Sequence, residues 1–441
     1  MHVRHSAGSR WLAGAIAILL LAVFCGAGAL TEGVPGNPAS FQRTMISPEW
    51  KEVDGFNAAF DHLVIEDGQG IVHLFYNDYS MNAYHRVLGS DGVWSPPEPA
   101  APVPLNSDGY RAAIAPDGTL CFVWMEDARF QNGEIQDLTN VLHVKRYRNG
   151  TWQEDKEICD YRDIDGGSGV FSGFQIAFDD KGKLHTLYNT AGSYGHPETR
   201  GTYLDGRMLK RYSDNGLTSE TLVPEIGRME AVRFFIDSHE VFHLIGLDTD
   251  SMIQDSYPYA FTRCIHSFSR DGGKTWEGPF AVFDSGNAIT QPATVEDNTG
   301  ALHLMACQFE VDQPALLTAT LRPDDYRAVD MHGYYNALQI QKDLDGQPWE
   351  EIMMYMGLSF RWLFVDDTGT NHYFADSMNN NTLELTLADG NAWAVRVFDK
   401  PEDAANIKSF LLRRNGKLFL EAVANGGMEP KLYLAEVPAQ D

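Results

Sequence analysis

"FDHLVIEDGQGIVHLFYND", Phe60 to Asp78, is an apolar run, an Asp/Gly turn and a second apolar run that carries a His. β-Branched and aromatic residues on both sides of a tight turn predict a β-hairpin. The plan then recurs: "YRAAIAPDGTLCFVWMED" (Tyr110 to Asp127), "FQIAFDDKGKLHTLYNT" (Phe174 to Thr190), "VRFFIDSHEVFHLIGLD" (Val232 to Asp248), "ATVEDNTGALHLMACQ" (Ala293 to Gln308), "RWLFVDDTGTNHYFADS" (Arg361 to Ser377) and "FLLRRNGKLFLEAV" (Phe410 to Val423). A second turn follows in five units, at Gly89 to Trp94, Tyr147 to Trp152, Tyr212 to Thr218, Ser269 to Trp276 and Leu387 to Trp393. Each unit therefore reads as four antiparallel strands. Such units repeated radially make a β-propeller. Seven blades are expected, with six or eight as alternatives. The last unit supplies three strands before the chain ends. The N-terminal stretch "RTMISPEWKEV", Arg43 to Val53, is expected to add the fourth and close the ring.

Composition narrows the setting. Arg4 and Arg10 precede the apolar run Trp11 to Phe24, and small residues follow at Ala27 to Ala29. This is the pattern of a cleaved leader over residues 1–29, ahead of a single domain over 30–441. The alternatives are an uncleaved anchor or a lipid on Cys25. The protein is expected to be secreted or periplasmic, off the membrane once the leader is removed. The net charge is −27. So acidic a surface argues against nucleic acid or an anionic membrane as partner. Five Cys occur, and Cys121 and Cys307 lie in apolar strands as expected buried thiols. Four Cys beyond the leader allow three pairings, which spacing does not decide. No CxxC or metal-ligand spacing occurs, so no metal or cofactor is expected.

"SRDGGKTW", Ser269 to Trp276, resembles the Asp-box of the sialidase superfamily (the BNR repeat), and the repeat resembles that superfamily over Phe56 to Val437. The resemblance implies a propeller whose Asp-box turns lie on the periphery. Asp271 and Trp276 are then scaffold. The recurrent His73, His185, His243, His303 and His372 hold one repeat position and are likewise expected to pack rather than react.

Chemistry is expected where the innermost strands begin, in polar residues that break the repeat. These are Asp61 and His62, Arg111, Gln175, Arg233 with Glu230, Gln291, Arg361 and Lys408. Arg offers a planar fork for a carboxylate and keeps its charge. Arg111, Arg233 and Arg361 converging on one funnel would bind an acidic oligosaccharide or polysaccharide. Alternatively, each pairs with an acid such as Asp117, Glu230 or Asp366. Sialidase-like hydrolysis would use those arginines as a triad, Tyr355 with Glu230 as nucleophile, and Asp61 as acid/base. Phe60 to Asp78 also resembles the first unit of seven-bladed polysaccharide lyases. That implies β-elimination, with Arg111 or Arg233 neutralising a uronate, His62 taking the C5 proton and Tyr188 or Tyr194 donating one. Tyr194 and Arg200 lie in the polar stretch Asn189 to Arg207, expected to wall the funnel. A third possibility is a propeller that binds glycan or protein without catalysis.

Overall fold

The computed structural model describes residues 40–438 apart from 57–61, 81, 105–109, 132–133, 154, 161–173, 190–205, 214–215, 225–228, 254–259, 310–314, 335–359, 367, 377–381, 389–391, 405, 414–415 and 425–429. The chain divides into residues 1–36 and 37–441. The leader expected over 1–29 lies outside the described residues. No described helix is long and apolar enough to cross a membrane. The described residues are nearly all β, with one 3-10 turn at Thr249–Ser251.

The strands form six sheets that follow the repeat. Unit one is β3 (His62–Glu66), β4 (Val72–Asn77), β5 (Asn82–Val87) and β6 (Glu98–Pro104). Unit two is β7 (Tyr110–Ile114), β8 (Leu120–Gln131), β9 (Glu134–Arg148) and β10 (Thr151–Trp152), with β11 (Lys156–Asp160) also on β9. Unit three is β12 (Phe174–Phe178), β13 (Leu184–Asn189), β14 (Gly206–Ser213) and β15 (Gly216–Pro224).

Units four and five share one sheet. The fourth comprises β16 (Met229–Ile236), β17 (Phe242–Asp248), β19 (Ala260–Ser269) and β20 (Glu277–Ile289), with β18 (Met252–Ile253) beside β19. The fifth comprises β21 (Ala293–Glu296), β22 (Leu302–Phe309), β23 (Ala315–Arg322) and β24 (Asp325–Tyr334). Ala288 and Ile289 pair with Phe309 and Gln308, which welds the two. Unit six is β25 (Phe360–Val365), β26 (Asn371–Asp376), β27 (Thr382–Ala388) and β28 (Ala392–Phe398). Unit seven is β29 (Asn406–Leu412), β30 (Lys417–Ala424) and β31 (Lys431–Pro438).

The N-terminal stretch divides its work. β1 (Ser40–Ile46) runs parallel beside β28 of unit six. β2 (Lys51–Glu52) then pairs antiparallel with β31, giving unit seven its fourth strand. Between them Ser47 Oγ donates to Asp399 at 2.6 Å, and Trp50 Nε1 donates to the Asp399 carbonyl at 2.9 Å. This strap therefore grips two sheets at once.

The core lies between the faces of consecutive sheets. Phe75 and Ala100 pack on Phe122 and Trp124; Leu187 on Phe234 and Phe242; Met305 and Cys307 on Tyr373 and Trp393. Phe374 and Phe398 meet Ile407 and Leu420. Val64, Val72 and Leu74 of unit one pack on Phe419, Val423 and Leu432 of unit seven, so the last unit meets the first. The architecture is propeller-type.

The recurrent histidines turn out to be fasteners. In five units an Asp stands six residues before the His. Asp67 accepts from the N–H groups of Gln69 and Ile71 and faces His73 Nε2 at 3.2 Å. Asp179 with His185, Asp237 with His243, Asp297 with His303 and Asp366 with His372 repeat the geometry at 2.8–3.3 Å. One carboxylate thereby ties the hairpin turn to its second strand. Unit two has Cys121 at the His position and unit seven has Phe419, so neither has this lock. Asp237→Ala removes a partner from His243, the Tyr326 hydroxyl and two backbone N–H groups at once. It is expected to cost about 3 kcal/mol or more, as buried donors lose their acceptor. Chemical denaturation checks this; a cost under about 1 kcal/mol would contradict the lock.

The Asp-box turn is built as its residue types suggest. Asp271 accepts from Lys274 N and Thr275 N, each at 2.9 Å, and from the Ser269 and Thr275 hydroxyls at 2.8 and 2.7 Å. Burial works to raise its pKa, but these bonds outweigh it and hold the carboxyl at about 2. Gly272 and Gly273 both have positive φ, a conformation glycine adopts without cost. Trp276 packs against the cluster of Leu187, Phe234 and Phe242 between units three and four. Asp271 and Trp276 are scaffold here.

Candidate functional site

His62 opens β3. Its Nε2 lies 2.6 Å from Glu421 Oε2 on β30 of unit seven. The His62 side chain is 9% exposed and that of Glu421 3%, so each removes the other's cost of desolvation. The Phe56 ring stands edge-on to the imidazole at 5.8 Å. No hydrogen bond to His62 Nδ1 is made by any described residue. One neighbour considered from sequence, Asp61, lies outside the described residues; the partner that the structure provides is instead 359 positions away.

Ladder register locates the other candidates. Arg111 pairs with Val123, Gln175 with Leu187 and Arg233 with Ile245. Each partner is the second residue after Cys121, His185 or His243, so the three candidates occupy one level in three successive units. Residues at one register share a face of their strand, which a one-residue slip would reverse. The first strands β7, β12 and β16 also touch in that order. Arg361 sits where the register shifts between Phe360 and Trp362, one step off this level. Its side chain, and those of Glu230 and Tyr188, are outside the described ones; Tyr194, Arg200 and Tyr355 lie wholly outside the described residues. Gln291 is exposed ahead of β21.

The arginines differ in surroundings. Arg111 Nη1 donates to the Tyr110 carbonyl at 2.7 Å. Asp117, an acid considered for it, is 2.7 Å from Arg148 instead, and Asp366 faces His372. Arg233 is exposed, and no described residue gives it a hydrogen bond or ion pair. Yet the protein around its guanidinium desolvates it and lowers its pKa. An open surface inside crowded walls is the condition of a side chain in a concavity. A carboxylate arriving there meets a cation with no competing partner among the described residues.

The second-strand partners at this level expose what the sequence reading passed over. They are Phe75, Val123, Leu187, Ile245, Met305 and Phe374, all apolar, and then Glu421 in unit seven. Glu421 is 2% exposed, a carboxylate in a layer otherwise made of hydrocarbon. The signal was present in "KLFLEAVA" (Lys417 to Ala424), where a Glu interrupts an apolar strand.

Asp237, His239 and Glu296 bring potential ligand atoms within 4.8 Å of one another. Both Asp237 oxygens already serve the turn lock described above, and Glu296 accepts from Ser238 N at 2.8 Å, so the group is a fastener. A cleft of about 310 Å³ opens between the first turns of units one and two, lined by Asp67, Gly118, Asp117 and Arg148 among others. It lies beyond the opposite end of β3 from His62. Its floor is a backbone contact: a Cβ on Gly68 would meet Gly118 Cα at 2.3 Å. The buried thiols of Cys121, Cys264 and Cys307 form no disulfide among the described residues, and burial pushes the Cys121 pKa up to about 11, which keeps it unreactive.

No protein-family model and no curated protein matches the chain. Among solved structures it is similar to an ulvan lyase of family PL25 bound to -[GlcA(1-4)Rha3S]-, with 11% identity, 87% of this chain and 96% of that one covered, and a TM-score of 0.54. It is also similar to the polysaccharide lyase Uly1, with 9% identity, coverage of 88% and 94%, and a TM-score of 0.51. At such identities the likeness is one of fold. The chain has the propeller-type fold of carbohydrate-active proteins that include polysaccharide lyases.

Proposed function

We propose that this protein is an exported, seven-bladed propeller that cleaves an acidic glycan by β-elimination. The blade count takes the welded sheet of units four and five as two blades. The observation that carries the chemistry is His62, an imidazole at the head of an inner strand with one nitrogen held by Glu421 and the other without a partner among the described residues. Elimination from a uronate needs a cation at the carboxylate, a base at C5 and an acid at the leaving oxygen. Arg233 and Arg111 suit the first role and His62 the second. The electrons of the C5–H bond become the C4–C5 double bond as the C4–O bond breaks. Against the chain's net charge of −27, attraction for such a substrate is confined to these few cations. The likeness to two polysaccharide lyases supports the reading through fold alone.

Incubation with a panel of uronate polysaccharides is expected to generate the ultraviolet absorbance of an unsaturated uronate. Arg233→Ala is expected to raise KM about tenfold or more, since a charge-assisted bond is lost. Absence of absorbance across the panel would sink elimination. Release of free sialic acid would assign hydrolysis instead, and saturable binding without turnover would assign a binding platform.

A further inference from the structure

The pairing of His62 with Glu421 specifies more than a base. A contact of 2.6 Å between an imidazole nitrogen and a carboxyl oxygen holds one proton between them. A carboxylate accepts and an imidazole N–H donates, so that proton is placed on Nε2 and Glu421 accepts it. In the neutral ring the other nitrogen then carries the lone pair. We propose that Glu421 is a positioning residue that fixes the Nε2–H form of His62 and makes Nδ1 the atom that takes the substrate proton.

The repeat supplies the independent argument. Six units fill the Glu421 level with Phe75, Val123, Leu187, Ile245, Met305 and Phe374, so the fold has no need of a carboxylate there. A buried ion pair is weak in stabilising a fold, and apolar residues of similar volume commonly do as well or better. A glutamate retained at such a level, bonded to the one histidine at the head of an inner strand, serves that histidine. When Nδ1 takes the C5 proton, the ring becomes an imidazolium and Glu421 offsets its charge across the same bond. The C–H electron pair forms the double bond. The leaving oxygen departs with its bonding pair and is protonated by an acid group or water.

This assignment rests on the elimination reading for what Nδ1 does, and the experiment separates the two. The full chain is labelled with ¹⁵N-histidine, and His62 is identified by the signals missing in His62→Gln. The expected spectrum shows Nε2 protonated and Nδ1 bare. Glu421→Gln keeps an acceptor, so the tautomer persists, while kcat falls about 10–100-fold with KM within about twofold. Glu421→Leu restores the residue type of the other units. It is expected to fold, to release the tautomer into a mixture and to lose more of kcat. A protonated Nδ1 in the unmutated chain, or a Glu421→Leu tautomer unchanged from it, overturns the assignment. Full activity in Glu421→Gln with unchanged pH dependence overturns the positioning role. The expected tautomer in a chain that eliminates no glycan supports the pairing and overturns the lyase reading alone.

Discussion

Below about pH 6.5 the protein is expected to lose stability steeply, at up to about 5–6 kcal/mol per pH unit. The cause is two stacked histidine pairs. His73 Nδ1 meets His85 Nε2 at 2.9 Å in unit one, and His243 Nδ1 meets His266 Nε2 at 2.9 Å in unit four. All four rings are fully buried. Burial lowers the pKa of His73 and His243, takes His266 well down, and takes His85 to about 2 with further help from His73 and Lys145. These rings stay neutral when folded but protonate near pH 6.5 when unfolded. The unfolded state then binds more protons, so stability falls as pH falls below the unfolded value. Each ring contributes about 1.4 kcal/mol per pH unit. His372 runs the other way. Burial alone would lower its pKa, but Glu384 and Asp366 raise it on balance, so its contribution is present at acid pH and fades as pH rises. Below about pH 6.5 this ring is protonated in both states, so it takes nothing off the slope from the four neutral rings. A total stability of about 5–15 kcal/mol is exhausted within about one to three pH units. The check is Tm against pH by calorimetry; a Tm that holds from about pH 7 to about pH 5 would refute the neutral pairs.

Removal of residues 40–53 is expected to abolish soluble monomer. It deletes β1 with its seven-residue parallel ladder on β28, and β2 with the closure of unit seven. Two sheet edges become unpaired, and bare edges recruit other chains. Ile46 and Trp50 leave the unit six–seven cluster, while Val53 leaves the cluster joining units seven and one. Val53 is buried and Ile46 and Trp50 are half-buried; full burial of an apolar side chain is worth about 1.5–3 kcal/mol, so the three together remove a sizeable part of an ordinary domain's margin. Size-exclusion chromatography is the measurement. Addition of the 40–53 peptide in trans should recover monomer, because the lost strands are added by main-chain pairing. A deleted chain that elutes as monomer with Tm within about 2 °C of the intact one would show the strap to be ornamental.

The strand pairs were legible because their information is local. Alternation, an Asp/Gly turn and a second apolar run are written within twenty residues, as in Phe60 to Asp78. The fasteners were half legible. The histidines stood out as one repeat position, while the Asp six residues earlier was equally regular and went unread. The long β8–β9 ribbon is foreshadowed by Asn132-Gly133, a strong hairpin signal between two strand-like runs. Three things depended on distant pairing and were not local at all. The weld of Ala288 to Phe309 joins strands of different units. β1 chose a parallel seat on unit six although its residues suit any edge. Glu421 meets His62 only because the ring brings unit seven against unit one. Parity explains the remaining gap. Arg111 and Arg233 share a level, and Arg361 sits in an irregularity that residue counting does not reveal.

The strap also sets an order of events. Lys431 and Glu52 form an ion pair 379 positions apart, between the early strand β2 and β31 of unit seven. Contacts this remote close slowly, after long loops have been ordered. During synthesis the early strand has no partner until the final unit emerges. Glu421 arrives in the same stretch, so His62 lacks this partner until unit seven is made. Synthesis of unit seven, rather than any later switch, is the event that brings Glu421 to His62.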